Sequence, residues 1–427
     1  MAGKAVWNLL DQMLSAATNV ALAVLVVRAA GAAAFDAFAV GFLLFSLAIG
    51  VERSLVGQAL GIRHSSRVGA SRRRALGRAS GAVLGLAVPL GLAMVLAGLL
   101  VSGQVGATLV ATGAVLPFLL TQDMCRYAFF AAAEARRATA NDALWALVQF
   151  TAMGVLLATG RATAVTLVLA WGGAAGVCAV VALVQLRVVP APLATWSWLR
   201  EHRDLVGYLL GDYLLTAGAF NGGYLLVGSF LGDHAVGSIR AAQVLLGPLG
   251  VVAGAAMTFG VPELARRATQ LTSAHRRRVA FAATGGMATL SALYIAALLT
   301  LPDSVGELVF AEKWHQALEV LPVLAFAQIA ALSALGPAVV VYALGQTRRT
   351  FRIMLVEAPL VLVLMIGGAV LFGVPGAVWG QLVDQVIMIV LWFGTLRLVL
   401  AEHDAGVVGA TGTNRPMRRG PRPAPRR

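Results

Sequence analysis

Asp11 is an ionisable side chain set in an apolar N-terminal run, and Asn8, Gln12, Ser15, Thr18 and Asn19 recur around it every three or four residues. On a helix that spacing forms one polar stripe. A carboxylate there can take up a proton or Na+, and the amides and hydroxyls beside it can hydrogen-bond a polar solute. Asp212 and Thr216 repeat a shorter version further along the chain. Arg28, Arg53 and Arg240, the last with Gln243 one turn on, offer complementary chemistry, because a guanidinium binds phosphate oxygens bidentately. Glu357 and Asp384, the latter flanked by Gln381 and Gln385, are further candidates for ion coupling together with Asp11 and Asp212. Each group also has a structural reading. The stripes can serve interhelical hydrogen bonds, Arg28 and Arg240 can snorkel to headgroups, and Glu52–Arg53 and Asp123–Arg126 are spaced for mutual neutralisation.

These residues must be positioned by helices in a bilayer. Of 427 residues, 59% are hydrophobic and only 12% charged, against about a quarter charged in soluble chains, and the mean hydropathy is +0.82. Polar and Gly/Pro breaks divide the chain into twelve apolar runs near 5–29, 35–61, 75–102, 106–133, 140–160, 163–187, 204–231, 236–262, 278–301, 317–344, 350–372 and 375–400. Each can cross a hydrocarbon core of ~30 Å. The first run is too polar for a signal peptide and is expected to remain as a span. With Lys4 inside, 27 of the 33 basic residues fall on one side, so both termini are expected in the cytoplasm and the chain in the cytoplasmic membrane.

The net charge of +14 therefore lies in loops facing a membrane and not on a nucleic-acid-binding face. Cys125 and Cys178 lie within apolar runs, which excludes a disulfide framework. The histidines stand in loops or the tail without a metalloprotease, nucleotide-binding or nucleophile-elbow motif. The expectation is a transporter without catalytic residues, cofactor or metal.

Residues 7–19 and 208–221 share a pattern in which an aromatic residue precedes an Asp by four positions and a hydroxyl follows it by four; Asp11 and Asp212 are 201 residues, or six spans, apart. An even number of spans preserves orientation, so two parallel six-helix halves are expected. Residues 1–187 form the first and 204–400 the second, joined by a linker at 188–203 with an interfacial helix bearing Trp196 and Trp198. Asn221 falls off the face of Asp212, and a kink at Gly222–Gly223 would correct this. Residues 401–427 read as a disordered basic cytoplasmic tail that fixes the topology or, on a sharper reading, is attracted to anionic lipid.

The loop from Gly306 through Phe310, Ala311, Trp314 and Ala317 to Leu321–Ala325 resembles one in polysaccharide flippases (Wzx-like) of the multidrug/oligosaccharidyl-lipid/polysaccharide superfamily, to which the MATE-like transporters also belong. Ala343-Leu-Gly345-Gln-Thr-Arg348 and Phe230-Leu-Gly232 through Gly237 to Ala242 are similar to two more of its turns, and Arg28 through Gly31 to Phe38 looks like the matching first-half turn. The chain departs from the pattern at Ala311 and Asp36, where Gly is usual. The resemblance implies an all-α, V-shaped pair of six-helix bundles that rocks about a central cavity and carries a lipid-linked oligosaccharide or polysaccharide precursor between leaflets. Its partners would be membrane lipids and polysaccharide-assembly glycosyltransferases or a polymerase. The rival within the superfamily is an H+- or Na+-coupled multidrug or metabolite antiporter working through Asp11 or Asp212. A membrane glycosyltransferase and a nontransporting scaffold are the rivals outside it.

Overall fold

The computed structural model describes residues 2–64, 69–132, 134–267 and 271–404, nearly all of them helical. The expected disordered tail from 405 onward lies outside the described residues. Six membrane-spanning helices come first, α1 (Ala2–Ala30), α2 (Ala32–His64), α3 (Gly69–Leu100), α4 (Gly103–Ala131), α5 (Ala135–Ala158) and α6 (Ala164–Leu186). A short helix α7 (Thr195–Glu201) leads into α8 (Arg203–Leu231), α9 (Asp233–Ala255), α10 (Ser273–Leu299), the short α11 (Asp303–Phe310), α12 (Lys313–Ala343) and α13 (Thr347–Asp404).

Among the described residues, eleven helices are long and apolar enough to cross a bilayer, and the last holds two of the twelve expected runs. It is 58 residues long and breaks at Gly373, whose φ of 68° and ψ of −151° no side-chain-bearing residue adopts readily, with Pro375 just beyond. The chain is thus an all-helical, multi-pass membrane protein. The Arg-rich end of the bundle, where α2 ends and α7 lies, is its basic end, and the opposite one its far end.

Repetition shows in the backbone. Gly31 between α1 and α2 has φ 89° and ψ 175°, and Gly232 between α8 and α9 has φ 93° and ψ 168°. These nearly identical turns stand 201 residues apart, the same offset as Asp11 and Asp212. The following helices match as well: α2 passes through a π-helical turn at Arg53–Gly57, and α9 leads into one at Ala256–Gly260. The kink expected at Gly222–Gly223 lies elsewhere. It is a π-helical turn at Leu214–Gly218 with Thr216 at φ −112° and ψ −105°, while Ala219–Leu231 is regular helix.

Close packing within each half relies on small residues, as is usual where lipid offers no hydrophobic drive to associate. A Cβ on Gly91 of α3 would come 2.5 Å from the Gly113 carbonyl of α4, and one on Gly380 would come 2.2 Å from the Leu364 carbonyl within α13. One apolar core gathers Phe35, Phe38, Leu116, Phe129 and Trp171; another gathers Val227, Leu321, Val361 and Met365. At the far end the halves are latched. Asp36 of α2 and Lys313 of α12 form a buried ion pair at 2.5 Å. Gly237 of α9 lies against Asp36 so closely that a Cβ would overlap its carboxylate.

At the basic end α7 folds back on α2. Trp196 is 67% exposed, with Arg200 over its ring, and suits a headgroup position. Trp198 was expected beside it but is fully buried, its indole donating to the Leu55 carbonyl at 3.1 Å. The π-helical turn containing Leu55 alters the helical hydrogen-bond register, and the tryptophan uses the acceptor so presented.

Candidate functional site

Helices α1, α2, α4, α5, α6 and α9 enclose a cavity of about 710 Å³. The stripe on α1 supplies Gln12, Ser15 and Asn19, α2 supplies Phe45 and Arg53, and α4 supplies Gln122, Asp123 and Arg126. Trp145 and Gln149 of α5 and Trp171 of α6 close one side, and α9 presents Gly247, Gly250 and Gly254.

The charges beside this cavity form a network. Arg53 grips Asp123 bidentately, Nε to Oδ2 and Nη2 to Oδ1 both at 2.7 Å, with the Tyr127 ring 5.8 Å from its guanidinium carbon. Arg126 donates to Asp11, and its Nε lies 3.3 Å from Asp142 Oδ2. The i,i+3 contact of Arg126 with Asp123 stretches to 3.9 Å, so pairing runs between helices more than along α4. Ser15 and Gln122 also donate to Asp142, at 3.2 and 2.8 Å. Glu52 is buried next to Arg53 and within electrostatic range of Asp123. Four carboxyl groups therefore surround two guanidiniums, an arrangement that lowers the penalty of burying charge in a bilayer by pairing most of it.

Several residues expected in the cavity lie elsewhere. Asp11 is fully buried behind Arg126 and does not line the cavity. Arg28 stands at the far end, exposed, donating to the Glu307 and Leu308 carbonyls. Asp212 is exposed and outside the cavity, and Thr216 returns its hydroxyl to the Asp212 carbonyl at 2.7 Å, because the π-helical turn displaces this segment from the regular face. Gln243 is turned toward Tyr224, whose hydroxyl donates to Gln381 at 2.7 Å. Asp384 is fully buried and receives Gln385 at 2.9 Å, with Glu357 also neighbouring Gln385, away from the cavity. The side chain of Asn8 is outside the described ones.

Arg240 is the exception in charge. Its guanidinium carbon sits 3.9 Å from the centre of the Phe42 ring, and Phe42 stacks on the cavity-lining Trp171 at 6.0 Å. Its Nε is buried without a hydrogen-bond partner, and no carboxylate pairs with it among the described residues. A cation without a counter-charge among the described residues therefore lies one aromatic ring from the cavity wall. Arg126, Asp142, Gln149, Trp145 and Trp171 were not among the expected site residues. Asp142 stands at the start of an apolar run, where it reads as a boundary, and a tryptophan within such a run reads as packing.

No family model matches the sequence, and no curated protein matches it. Solved structures do share the fold. An inward-facing multidrug resistance MATE family transporter of the MOP superfamily superposes with a TM-score of 0.60 at 12% identity, covering 94% of this chain and 96% of that one. The lipid II flippase MurJ in an inward closed conformation gives 0.70 at 10% identity, covering 93% and 88%. An outward-facing MATE transporter gives 0.58 at 13% identity, covering 94% and 95%. The chain thus has the fold of the MOP transporters along nearly its whole length.

Proposed function

We propose that this protein carries a lipid-linked oligosaccharide or polysaccharide precursor across the cytoplasmic membrane by alternating access, its basic end in the cytoplasm. The halves 1–187 and 204–400 would be the units that rock. The observation that carries the reading is Arg240. A partly buried guanidinium lacking a counter-charge among the described residues, held between the halves and beside the cavity, is a binding group for an anion that arrives with the substrate. A pyrophosphate-linked glycan brings such an anion. The polar α1 stripe and the Trp145 and Trp171 faces suit sugar hydroxyls and rings. MurJ, which shares the fold, is itself named a lipid II flippase.

One observation favours a second reading. Asp11, Glu52, Asp123 and Asp142 outnumber Arg53 and Arg126, an acidic excess suited to H+ or Na+ coupling and to a cationic drug, and a protein named a multidrug resistance MATE family transporter shares the fold. Reconstitution separates the two. Proteoliposomes holding a fluorescent polyprenyl-pyrophosphate sugar report its leaflet by quencher access. Flipping by wild type that falls at least 10-fold in Arg240→Ala and partly returns in Arg240→Lys supports the flippase. No flipping, combined with gradient-driven uptake of an organic cation that fails in Asp142→Asn, replaces it with the antiporter.

A further inference from the structure

His64 ends α2 and His202 lies between α7 and α8, 138 residues on. Sequence places both in loops. The fold buries them, at 5% and 0% exposed, with their Nε2 atoms 2.9 Å apart. His202 Nδ1 is 2.9 Å from the Trp198 carbonyl oxygen, which can only accept, so Nδ1 carries the proton and Nε2 presents a lone pair toward His64. The Trp198 ring stacks on His202 at 4.1 Å and 28°, fixing the plane of the imidazole. Glu201 adds a carboxylate oxygen, and the three donor atoms all lie within 4.8 Å of one another. Arg78 holds Glu201 Oε2 at 2.7 Å, which leaves the second oxygen for another cation. Partial burial pushes the Glu201 carboxyl up, but the hydrogen bond and charge of Arg78 outweigh it and keep the group below its ordinary value.

We infer that His64, His202 and Glu201 form a site for one divalent transition-metal ion of the Zn2+ type, at the joint between the first half and the linker to the second. Two imidazoles and a carboxylate select such an ion over Mg2+ or Ca2+, which prefer all-oxygen shells. Zinc–nitrogen bonds of ~2.0–2.1 Å at tetrahedral angles need the two Nε2 atoms roughly 3.3–3.4 Å apart, an opening of a few tenths of an ångström. The His202 Nδ1–H to carbonyl bond is already the outer-shell contact that orients a metal-binding imidazole. On binding, the proton on His64 Nε2 would move through solvent to His64 Nδ1, leaving both imidazoles neutral with their Nε2 lone pairs on the ion, and water would fill the fourth position. The Glu201 side chain is 41% exposed and gives the ion a way in. The ion would tie the end of α2 to the α7–α8 joint, and the site holds whatever the solute carried.

The test uses the full-length chain in detergent, purified through a tag free of histidine, with Zn2+ followed by calorimetry and Co2+ by visible absorption. One equivalent of Zn2+ is expected, together with the d–d bands of four-coordinate Co2+. His64→Gln and His202→Gln should each weaken binding at least 10-fold. Glu201→Gln leaves the His64–His202 contact in place, so it should weaken Zn2+ binding several-fold while the metal-free melting temperature barely moves. Wild type that takes up no more Zn2+ than the His64→Gln/His202→Gln double variant overturns the inference, leaving the two histidines as a hydrogen-bonded pair only. Binding indifferent to Glu201→Gln and to both single variants overturns it equally.

Discussion

Arg126 touches both Asp11 and Asp142, whereas Arg53 serves Asp123 alone from a side chain 34% exposed to the cavity. Removing a partner from a buried pair costs about 3–5 kcal/mol, mainly by stranding the other charge. Arg126→Met should therefore lower the melting temperature in detergent far more than Arg53→Met, where water can reach Asp123 from the cavity. The Asp11→Leu/Arg126→Met double variant should recover part of the loss. Equal melting temperatures for the two single variants would show that the network is not coupled as its geometry implies. The polar stripe of α1 was legible in the sequence because helical spacing tells which residues share a face. Spacing does not tell which neighbour covers that face. Asp11 was read as facing the cavity for that reason, and Asp142, Gln122 and Arg126 around it depended on contacts between residues 20 to 127 positions apart.

At the scale of elements, turns were more legible than kinks. Gly31 and Gly232 occupy a region of φ and ψ that is essentially glycine-only, where another residue costs of order 1–3 kcal/mol. Gly31→Ala and Gly232→Ala should each destabilise by about that much and by similar amounts, which thermal unfolding can compare. Ala311 is the converse. It follows α11 with φ 49° and ψ −133°, at a position where the resembled family usually has glycine. Ala311→Gly should raise the melting temperature, since the strain relieved exceeds the ~0.5–1 kcal/mol that glycine loses through its freer unfolded chain. A lowered melting temperature would mean that the alanine is unstrained. The twelve runs were readable because a bilayer dictates length and hydropathy. The π-helical turns were not, because they answer to packing: in α2 the turn supplies the Leu55 acceptor to Trp198.

For the molecule as a whole, the Asp36–Lys313 pair and the Arg28 contacts join the two halves at the far end, while the cavity lies between α1, α2, α4 and α9. Exchange between conformations depends on the free-energy difference between them, and this latch contributes on one side only. Asp36→Asn/Lys313→Met should populate a far-end-open conformation, seen as a longer distance between spin labels at Arg161 and Leu301. The two native cysteines are buried and will not compete for label. An unchanged distance distribution would remove the pair from the conformational balance. The glycines of α9 extend the point. A Cβ built on Gly247, Gly250 or Gly254 meets nothing within 4 Å, so steric demand in this conformation does not require them to be small. Their three- and four-residue spacing makes one smooth seam facing α1 across the cavity, the shape needed when the opposing walls collapse onto each other. Under the proposed alternating access, the seam would receive a partner surface in another conformation. Leucine at Gly250 should leave melting unchanged yet halt turnover, acting as a wedge.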